Sequence, residues 1–529
     1  MSLTNQNSIG SFTRKSTFFW ASVGATVGLA NLWQFPYLAS MHGGGYFVLL
    51  YLACLLIITL PLMITEAVFG RYSRQGIVPT MNALVKTAGV RRFWRLAGPL
   101  SILAAFLVLS FTAVFGSIAL AYVFLGARDV FEGATVDSAS AVFSDLVSNP
   151  DNYRIFMAWH GAFLLLVLLV SARGVVQGVE RSVRMIVPLA LVLMTVLFFM
   201  SASHGRLDTG IRHILELRPD QLGMDSVQGA FFHAFYTLGL GMGVWTVFGA
   251  YSTSHTRLKR SILAVVLIDT LVSIGAGLMV FSIAGDGSGL DGERGFSLLF
   301  VSLPAHLAAL PYSQVMIAAV FLAVVLIVWA SAISLLEPVV GWLMEWSGAS
   351  RVVAVALVGL AVWLVGVASL LSFNAWADVR PGGASPFRWI ELVAGGLVIP
   401  AVGVLVSAFA GWCLSRRFGG LLLGHTPKLF RKVWYWVLRL VLPFVIAWIG
   451  LQYTVFSVTS LCHGQNTAGW CGNDQAAEAP MSKASPEAPA GDEAEEVVEP
   501  TKAGLSTHVR EGDSLENAPK EGNILYDSV

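Results

Sequence analysis

Long apolar runs, separated by short polar and basic segments, fill the 529-residue chain up to about residue 456. A helix needs about 20 apolar residues to cross the ~30 Å hydrocarbon core of a bilayer. We therefore expect an all-α membrane protein with 11 transmembrane helices. The predicted spans lie near residues 16–38, 44–69, 96–125, 154–171, 185–202, 228–250, 261–284, 314–343, 352–371, 389–414 and 434–456.

The composition agrees with this interpretation, because 56% of the residues are hydrophobic and only 12% are charged. About a quarter of the residues of a soluble protein are charged. A soluble enzyme, a fibrous protein and a fully disordered chain are therefore excluded. No hydrolase triad, HExxH or phosphate-loop pattern occurs, so we do not expect an enzyme. No basic run lies beside base-stacking aromatic residues, so we expect no nucleic-acid partner.

The basic residues orient the predicted spans. With residues 1–15 placed in the cytoplasm, the inner segments hold twenty Lys and Arg and the outer loops hold eight, the tail excluded. Cytoplasmic loops carry the excess of positive charge in membrane proteins. We therefore expect a multi-pass plasma-membrane protein, the inner membrane in a two-membrane cell, with its C-terminal end on the periplasmic or extracellular side. The sequence does not indicate an oligomeric state.

The segment 457–529 is acidic, with a net charge of −9 from residue 474 onward (thirteen acidic and four basic residues), and rich in Ala and Pro. This composition predicts a disordered tail. Cys462 and Cys471 would face an oxidising compartment, where they form a disulfide or remain unpaired thiols. Cys54 and Cys413 lie in apolar runs and are expected to be packing residues.

Two spans are interrupted by glycines and small polar residues, at 24–28 and at 237–241. Broken helices persist in hydrocarbon only where protein or a water-filled cavity covers the freed backbone groups. The breaks are five spans apart, which divides residues 16–202 and 228–414 into two five-helix halves of opposite orientation, with residues 434–456 as an extra helix. One glycine cluster alone would favour close helix packing. Two in matching places are typical of a secondary transporter with its binding site at the breaks.

Several segments carry a family signature. They are GATVGLANLWQFPY at 24–37, GGGYF at 43–47, LPLMITE at 60–66, RGVVQGVE at 173–180, YTLGLGMG at 236–243 and Glu337-Pro338. Over about residues 12–456 the chain resembles the neurotransmitter:sodium symporters, in particular bacterial sodium-dependent amino-acid transporters of the leucine-transporter type. The resemblance implies sodium-coupled import of a small amino acid or related zwitterion by alternating access. A substrate sensor of the same fold that does not cycle, or a transporter of another kind of solute, remains an alternative.

The resemblance also implies two sodium sites. The first comprises Thr26, Asn31, Thr237 and Asp269. Asp269 stands where the family usually has Asn, and a carboxylate in a membrane span costs at least ~2.5 kcal/mol, which a bound sodium ion offsets. A protonated Asp269 at a helix interface is the alternative. The second site comprises Gly24, Val27, Ile327, Ala330 and Ser331, where Ala330 lacks the hydroxyl usual in bacterial relatives.

Tyr51, His233 and Ser273 fall at the positions of the family's anion site. Because Asp269 supplies a fixed negative charge beside them, we expect that chloride is not required. A protonated His233 that binds an anion is the alternative.

The resemblance places a substrate pocket between the two breaks. Gly28 replaces the Asp of monoamine transporters, which fits a substrate with its own carboxylate, received by the amides of Leu29 and Ala30. Gln34 and Glu391 replace the commonly paired Arg and Asp of the outer gate, and Thr112 stands at the position of the family's third-span Tyr. The expected pocket residues are Ala25, Thr26, Leu29, Ala30, Val108, Thr112, Tyr236, Gly239, Met242, Ser331 and Leu335.

Overall fold

The computed structural model describes residues 9–284, 297–424 and 426–459, and all regular elements in these ranges are helices. Cys462, Cys471 and the acidic tail from residue 460 onward lie outside the described residues. Cys54 is buried and Cys413 is half-buried, and both are free thiols.

The main helices, in chain order, are α1 (Thr17–Thr26), α2 (Gln34–Met41), α3 (Gly45–Ser73), α4 (Ile77–Ala88), α5 (Arg92–Ala127), α6 (Val136–Val147), α7 (Pro150–Ala172), α8 (Val175–His204), α9 (Leu207–Ile214), α10 (Met224–Thr237), α11 (Val244–Tyr251), α12 (Leu258–Ile283), α13 (Leu298–Ala308), α14 (Ser313–Ser347), α15 (Arg351–Leu371), α16 (Pro386–Cys413), α17 (Arg416–Leu423) and α18 (Lys428–Thr459).

Within the described ranges, nine of these helices are long and apolar enough to cross a bilayer: α3, α5, α7, α8, α12, α14, α15, α16 and α18. Each overlaps one predicted span. The fifth predicted span corresponds to α8, which begins at Val175 rather than near residue 185, because the polar segment before the apolar run is also helical. The other two predicted spans are each divided into two short helices, α1 with α2 and α10 with α11.

Four described helices widen into a π-helical turn shortly before a proline. A proline ring clashes with the carbonyl one turn earlier and removes an N–H donor. A wider turn relieves that clash and leaves carbonyl groups free to accept other bonds. The turns Leu55–Thr59, Leu298–Ser302, Leu392–Val398 and Val437–Val441 each end two residues before Pro61, Pro304, Pro400 and Pro443.

Small residues let the broken helices enter the bundle. α1 packs among α8, α12 and α14, where a Cβ atom on Gly24 would lie 2.9 Å from the Cβ atom of Ala330. α11 packs against α3, where a Cβ atom on Gly70 would lie 1.7 Å from the carbonyl oxygen of Thr246. Larger side chains at these positions would push the half-helices out of the bundle.

Buried carboxylates fasten the helix ends that precede and follow the breaks. Glu180 accepts hydrogen bonds from both the amide and the hydroxyl of Thr13, at 2.7 and 3.0 Å, and from the hydroxyl of Thr17 at 2.7 Å. Glu337 accepts a hydrogen bond from the Tyr251 hydroxyl at 2.7 Å and forms an ion pair with Arg351. These bonds satisfy charges that would otherwise be costly to bury.

Candidate functional site

The first break follows α1. Val27 has ψ 104° and Gly28 has ψ −174°, so the chain is extended between Thr26 and a short turn at Leu29–Asn31. The amide of Gly28 donates to Oδ1 of Asn31 at 2.8 Å, which fixes the side chain of Asn31 across the break. The extended residues interrupt the helical hydrogen bonds, so backbone groups in the bundle interior become available to a ligand.

The second break lies between α10 and α11. Gly239, Gly241 and Gly243 have φ values of +63°, +74° and +71°, a left-handed region that favours glycine. Glu66 accepts a hydrogen bond from the amide of Gly241 at 3.0 Å, and the indole of Trp245 donates to the carbonyl of Leu238 at 2.7 Å. Neighbouring side chains thus satisfy the backbone groups that the break exposes.

A cavity of about 220 Å³ lies between the two breaks. Its polar lining comes from residues at the breaks, from Ser331 and Ser334 on α14, and from Gln34, Thr112 and Glu391, whereas its other walls are mainly apolar and aromatic. The eleven expected pocket residues all line this cavity: Ala25, Thr26, Leu29, Ala30, Val108, Thr112, Tyr236, Gly239, Met242, Ser331 and Leu335.

Aromatic side chains that the sequence did not single out also line the cavity. Phe111 and Phe115 come from α5, Phe232 from α10, Phe387 from α16 and Tyr453 from α18. The ring centroids of Phe232 and Tyr236 are 4.1 Å apart, and those of Phe232 and Tyr453 are 5.2 Å apart. Phe111 could have been expected in the cavity wall, because it directly precedes the expected pocket residue Thr112. Nothing in the local sequence distinguishes Tyr453 from a packing residue.

Tyr236 joins the second break to α16. Its hydroxyl donates to the carbonyl of Gly395, which lies in the π-helical turn Leu392–Val398. The widened turn frees this carbonyl, and the lack of a side chain on Gly395 leaves room for the ring of Tyr453, which would lie 3.4 Å from an added Cβ atom. Tyr236 is thus fixed in the wall of the cavity, between α10 and α16.

Three of the residues expected at the first sodium site, Asn31, Thr237 and Asp269, form one buried network with two of those expected at the anion site. Asn31 donates to Oδ1 of Asp269 at 2.9 Å and to Oγ of Ser273 at 2.8 Å. Tyr51 donates to Oδ2 of Asp269 at 2.8 Å, and Thr237 donates to Oδ1 of Asn31 at 3.2 Å. Thr26, the remaining residue expected at the first sodium site, is not hydrogen-bonded to this network, because its hydroxyl donates to the carbonyl of Val23 at 3.3 Å.

This network gathers a carboxylate, an amide oxygen and hydroxyl groups beside the break in α1. Hard cations prefer such oxygen ligands. Asn31 and Asp269 are both fully buried.

The residues expected at the second sodium site lie where α1 meets α14. Gly24 packs against Ala330, and an added Cβ atom on Gly28 would lie 3.7 Å from the hydroxyl oxygen of Ser331. Val27 is at the end of α1, with its backbone extended, and Ile327 is buried.

His233 and the gate residues lie next to these sites. Nδ1 of His233 is 3.2 Å from Oε1 of Gln34, and its ring centroid is 5.2 Å from that of Tyr51. Gln34 and Glu391 line the same cavity, but Glu391 forms an ion pair with Arg388 at 2.9 Å, one turn earlier on α16. Each expected gate residue is therefore paired with another side chain, Gln34 with His233 and Glu391 with Arg388.

Known proteins resemble this chain over most of its length. An uncharacterised sodium-dependent transporter of Bacillus subtilis (strain 168) is 29% identical over 82% of this chain and 95% of the relative. A second uncharacterised sodium-dependent transporter, from Haemophilus influenzae, is 24% identical over 84% of this chain and 98% of the relative. The solved structure of MhsT in complex with L-phenylalanine is 28% identical and covers 84% of this chain and 99% of MhsT, with a TM-score of 0.75.

A model of the sodium:neurotransmitter symporter family matches residues 10–131 and 151–471. The match includes both helix breaks, the cavity between them and the network around Asp269. Because it extends over most of the chain and the fold agrees with that of MhsT, the chain belongs to the sodium:neurotransmitter symporter family, whose members are sodium-dependent secondary transporters and not enzymes.

Proposed function

We propose that this protein is a sodium-coupled symporter that imports a small amino acid or a related zwitterion by alternating access. The proposed architecture has 11 spans, with inverted repeats at about 16–202 and 228–414 and an eleventh helix at about 434–456. The nine long helices of the described ranges support this count, together with two interrupted spans in the first and sixth places. The excess of basic residues in alternate loops supports a cytoplasmic N-terminus.

The observation that carries the proposal is the cavity between the two breaks. Its lining includes the polar residues Thr26, Thr237 and Ser331 together with Leu29 and Ala30 at the first break, a combination that suits the carboxylate and ammonium groups of an amino acid. Its volume of about 220 Å³ suits a molecule smaller than a typical drug. Apolar walls favour a neutral, apolar side chain, and the binding of L-phenylalanine by MhsT supports this choice.

We assign the first sodium ion to Thr26, Asn31, Thr237 and Asp269, and a second to Gly24, Val27, Ile327, Ala330 and Ser331. In this assignment Asp269 keeps its negative charge and balances the first ion. Tyr51 and Ser273 then orient Asp269 and Asn31 rather than bind an anion, and the transport cycle does not require chloride.

Sodium entry is strong enough to drive accumulation. One sodium ion moving down a potential of 100 mV releases ~2.3 kcal/mol. A tenfold sodium gradient adds ~1.4 kcal/mol. Together they support roughly a 500-fold gradient of a neutral substrate for each sodium ion coupled.

The gate residues favour a second candidate, a sensor that binds the same kind of ligand without cycling. Gln34 is hydrogen-bonded to His233 and Glu391 is paired with Arg388, so closure of the cavity requires new partners for both. A sensor would bind its ligand in the presence of sodium but would not accumulate it.

The decisive experiment is uptake of a radiolabelled amino-acid pool into proteoliposomes with an inward sodium gradient, compared with a potassium gradient. Asp269→Ala, which removes both carboxylate oxygens, tests the sodium site, and Asp378→Ala, at an exposed carboxylate outside the cavity, is the matched control. We expect sodium-dependent accumulation that Asp269→Ala abolishes and Asp378→Ala preserves. Sodium-dependent binding without accumulation would support the sensor, and absence of both would point to a solute other than an amino acid.

A further inference from the structure

A second cavity, of about 440 Å³, lies away from the proposed transport site, where α5 ends and α7 begins. The last turns of α5 and the first turns of α7 form two of its walls, and the short helix α6 covers it. Phe124, Leu125, Leu146, Ile155 and Trp159 make its floor apolar. The ends of two long membrane helices place this cavity at the boundary between hydrocarbon and water, where tryptophan is enriched in membrane proteins.

The rim of this cavity carries one positive and one negative group. Arg128 follows the last residue of α5, is exposed, and has no acidic partner within the described ranges. Asp145 is on α6, and its Oδ1 accepts hydrogen bonds from Asn149 at 2.8 Å and Asn152 at 2.9 Å. These two bonds fix the carboxylate at the rim and leave Oδ2 for a further donor.

An apolar stripe leads from the cavity along the membrane face of α7. Ile155, Ala158, Ala162, Leu165 and Leu169 are all exposed and recur every three or four residues, so they lie on one side of the helix. At 1.5 Å per residue this stripe is about 21 Å long, which is comparable to a phospholipid acyl chain and most of a bilayer leaflet. Phe124 is 50% exposed and Ile155 is 53% exposed, so the cavity opens towards the lipid.

We propose that this cavity is a binding site for a zwitterionic phospholipid with a primary ammonium group, that is, a phosphatidylethanolamine. The guanidinium of Arg128 binds the phosphate, Oδ2 of Asp145 accepts a hydrogen bond from the ammonium, and an acyl chain lies along the stripe on α7. A choline headgroup has no N–H donor for Asp145, and a glycerol headgroup has no positive charge to pair with it. The site therefore selects ethanolamine lipids over both, and this inference does not depend on the proposed transport.

The first test is native mass spectrometry of the full-length protein in detergent with equal amounts of palmitoyl-oleoyl phosphatidylethanolamine, phosphatidylcholine and phosphatidylglycerol. We expect the ethanolamine lipid to be retained about two- to fivefold more than the others, the range of one partly exposed ion pair. Asp145→Asn keeps the bonds to Asn149 and Asn152 and should remove this preference. Arg128→Gln should lower retention of all three lipids, because each of them carries the phosphate that Arg128 binds.

Arg154→Gln is the matched control, because Arg154 is an exposed arginine on α7 that does not line the cavity. It should change nothing. Equal retention of the three lipids would overturn the proposal, and so would equal losses in Arg128→Gln and Arg154→Gln, since both results mean that lipids associate with the surface without a site.

A second test needs no variant and keeps the protein in a bilayer. Hydrogen–deuterium exchange in nanodiscs should be slower at the amides of α6 when phosphatidylethanolamine is added to phosphatidylcholine. No change in α6 would overturn the proposal. Soluble O-phosphoethanolamine has the headgroup without acyl chains, so equal protection by this compound would overturn the assignment of the acyl chain to α7.

Discussion

Asn31 and Asp269 are joined by a hydrogen bond of 2.9 Å from Nδ2 to Oδ1, although 238 residues separate them in the chain. The bond ties the first helix break to α12, which is unbroken. The same Asn31 accepts a hydrogen bond from Thr237 at the second break. A cation bound here would therefore affect both breaks at once, which is the coupling that a symporter needs between ion and substrate.

The hydroxyl of Tyr51 is expected to stabilise the carboxylate of Asp269 most when no sodium is bound. Hydrogen bonds to charged groups contribute about 1.5–3 kcal/mol. Tyr51→Phe should therefore destabilise the protein by that amount in potassium and by less in sodium, because the bound cation compensates for the lost donor. Thermal unfolding in the two salts measures this difference.

Tyr122→Phe is the control for this comparison, because the Tyr122 hydroxyl donates to the carbonyl of Phe300 at 2.9 Å, with no carboxylate in the bond. Its loss of stability should be the same in sodium and potassium. A Tyr51→Phe variant that behaves like Tyr122→Phe would contradict a sodium ion beside Asp269.

The bond from Tyr236 to Gly395 is expected to slow the release of a bound amino acid. Tyr236→Phe keeps the ring against Phe232 but removes the link between α10 and α16. A neutral hydrogen bond contributes about 0.5–1.5 kcal/mol, so dissociation should be about two- to tenfold faster. Release, in sodium, of the radiolabelled amino acid that the uptake experiment identifies measures the rate. Tyr122→Phe should release the amino acid at the wild-type rate. An unchanged rate in Tyr236→Phe would show that the hydrogen bond from Tyr236 to Gly395 does not retain the bound amino acid.

Helix positions and both breaks could be predicted from the sequence because they depend on local properties. Apolar length determines where a helix can cross a bilayer, and glycine clusters permit the backbone to leave the helix. The predicted start of α8 was ten residues late because hydropathy reports burial in lipid rather than helical structure. The 11-span count and the inverted repeat remain predictions.

The walls of the cavity were predictable only in part. Residues such as Thr26 and Tyr236 lie in motifs that resemble the family, whereas Phe387 and Tyr453 reach the cavity from distant helices. Tertiary packing alone brings these rings together. The hydrogen bond between Gln34 and His233 could not be predicted either, because no spacing rule relates two side chains 199 residues apart.

Glu180 is expected to hold the segment before α1 in place. Its Oε2 accepts from the amide of Thr13, and its Oε1 accepts from three donors, including the amide of Arg14. In Glu180→Gln an amide N–H₂ group replaces one of the two accepting oxygens. This group cannot accept a hydrogen bond from the N–H or O–H donor that faces it, so the segment before α1 should detach more often. Trypsin should then cleave faster after Arg14 and Lys15, detected as loss of the first 14 or 15 residues by mass spectrometry. Glu132→Gln, at an exposed carboxylate, should leave the cleavage rate unchanged, and equal rates in both variants would contradict this role.

The packing of α11 on α3 is expected to tolerate no side chain at Gly70. A Cβ atom there would lie 1.7 Å from the carbonyl oxygen of Thr246, which is backbone and cannot rotate away. Gly70→Ala should therefore separate the two helices and destabilise the protein by about 3 kcal/mol or more.

Gly275→Ala is the matched control, since Gly275 is also within a long helix but has nothing within 4 Å of an added Cβ atom. It should leave stability unchanged or raise it by about 0.5–1 kcal/mol, because alanine favours the helix. Size-exclusion profiles and thermal unfolding of the two variants check the prediction, and a well-folded Gly70→Ala protein with wild-type stability would show that the second break does not need this close contact.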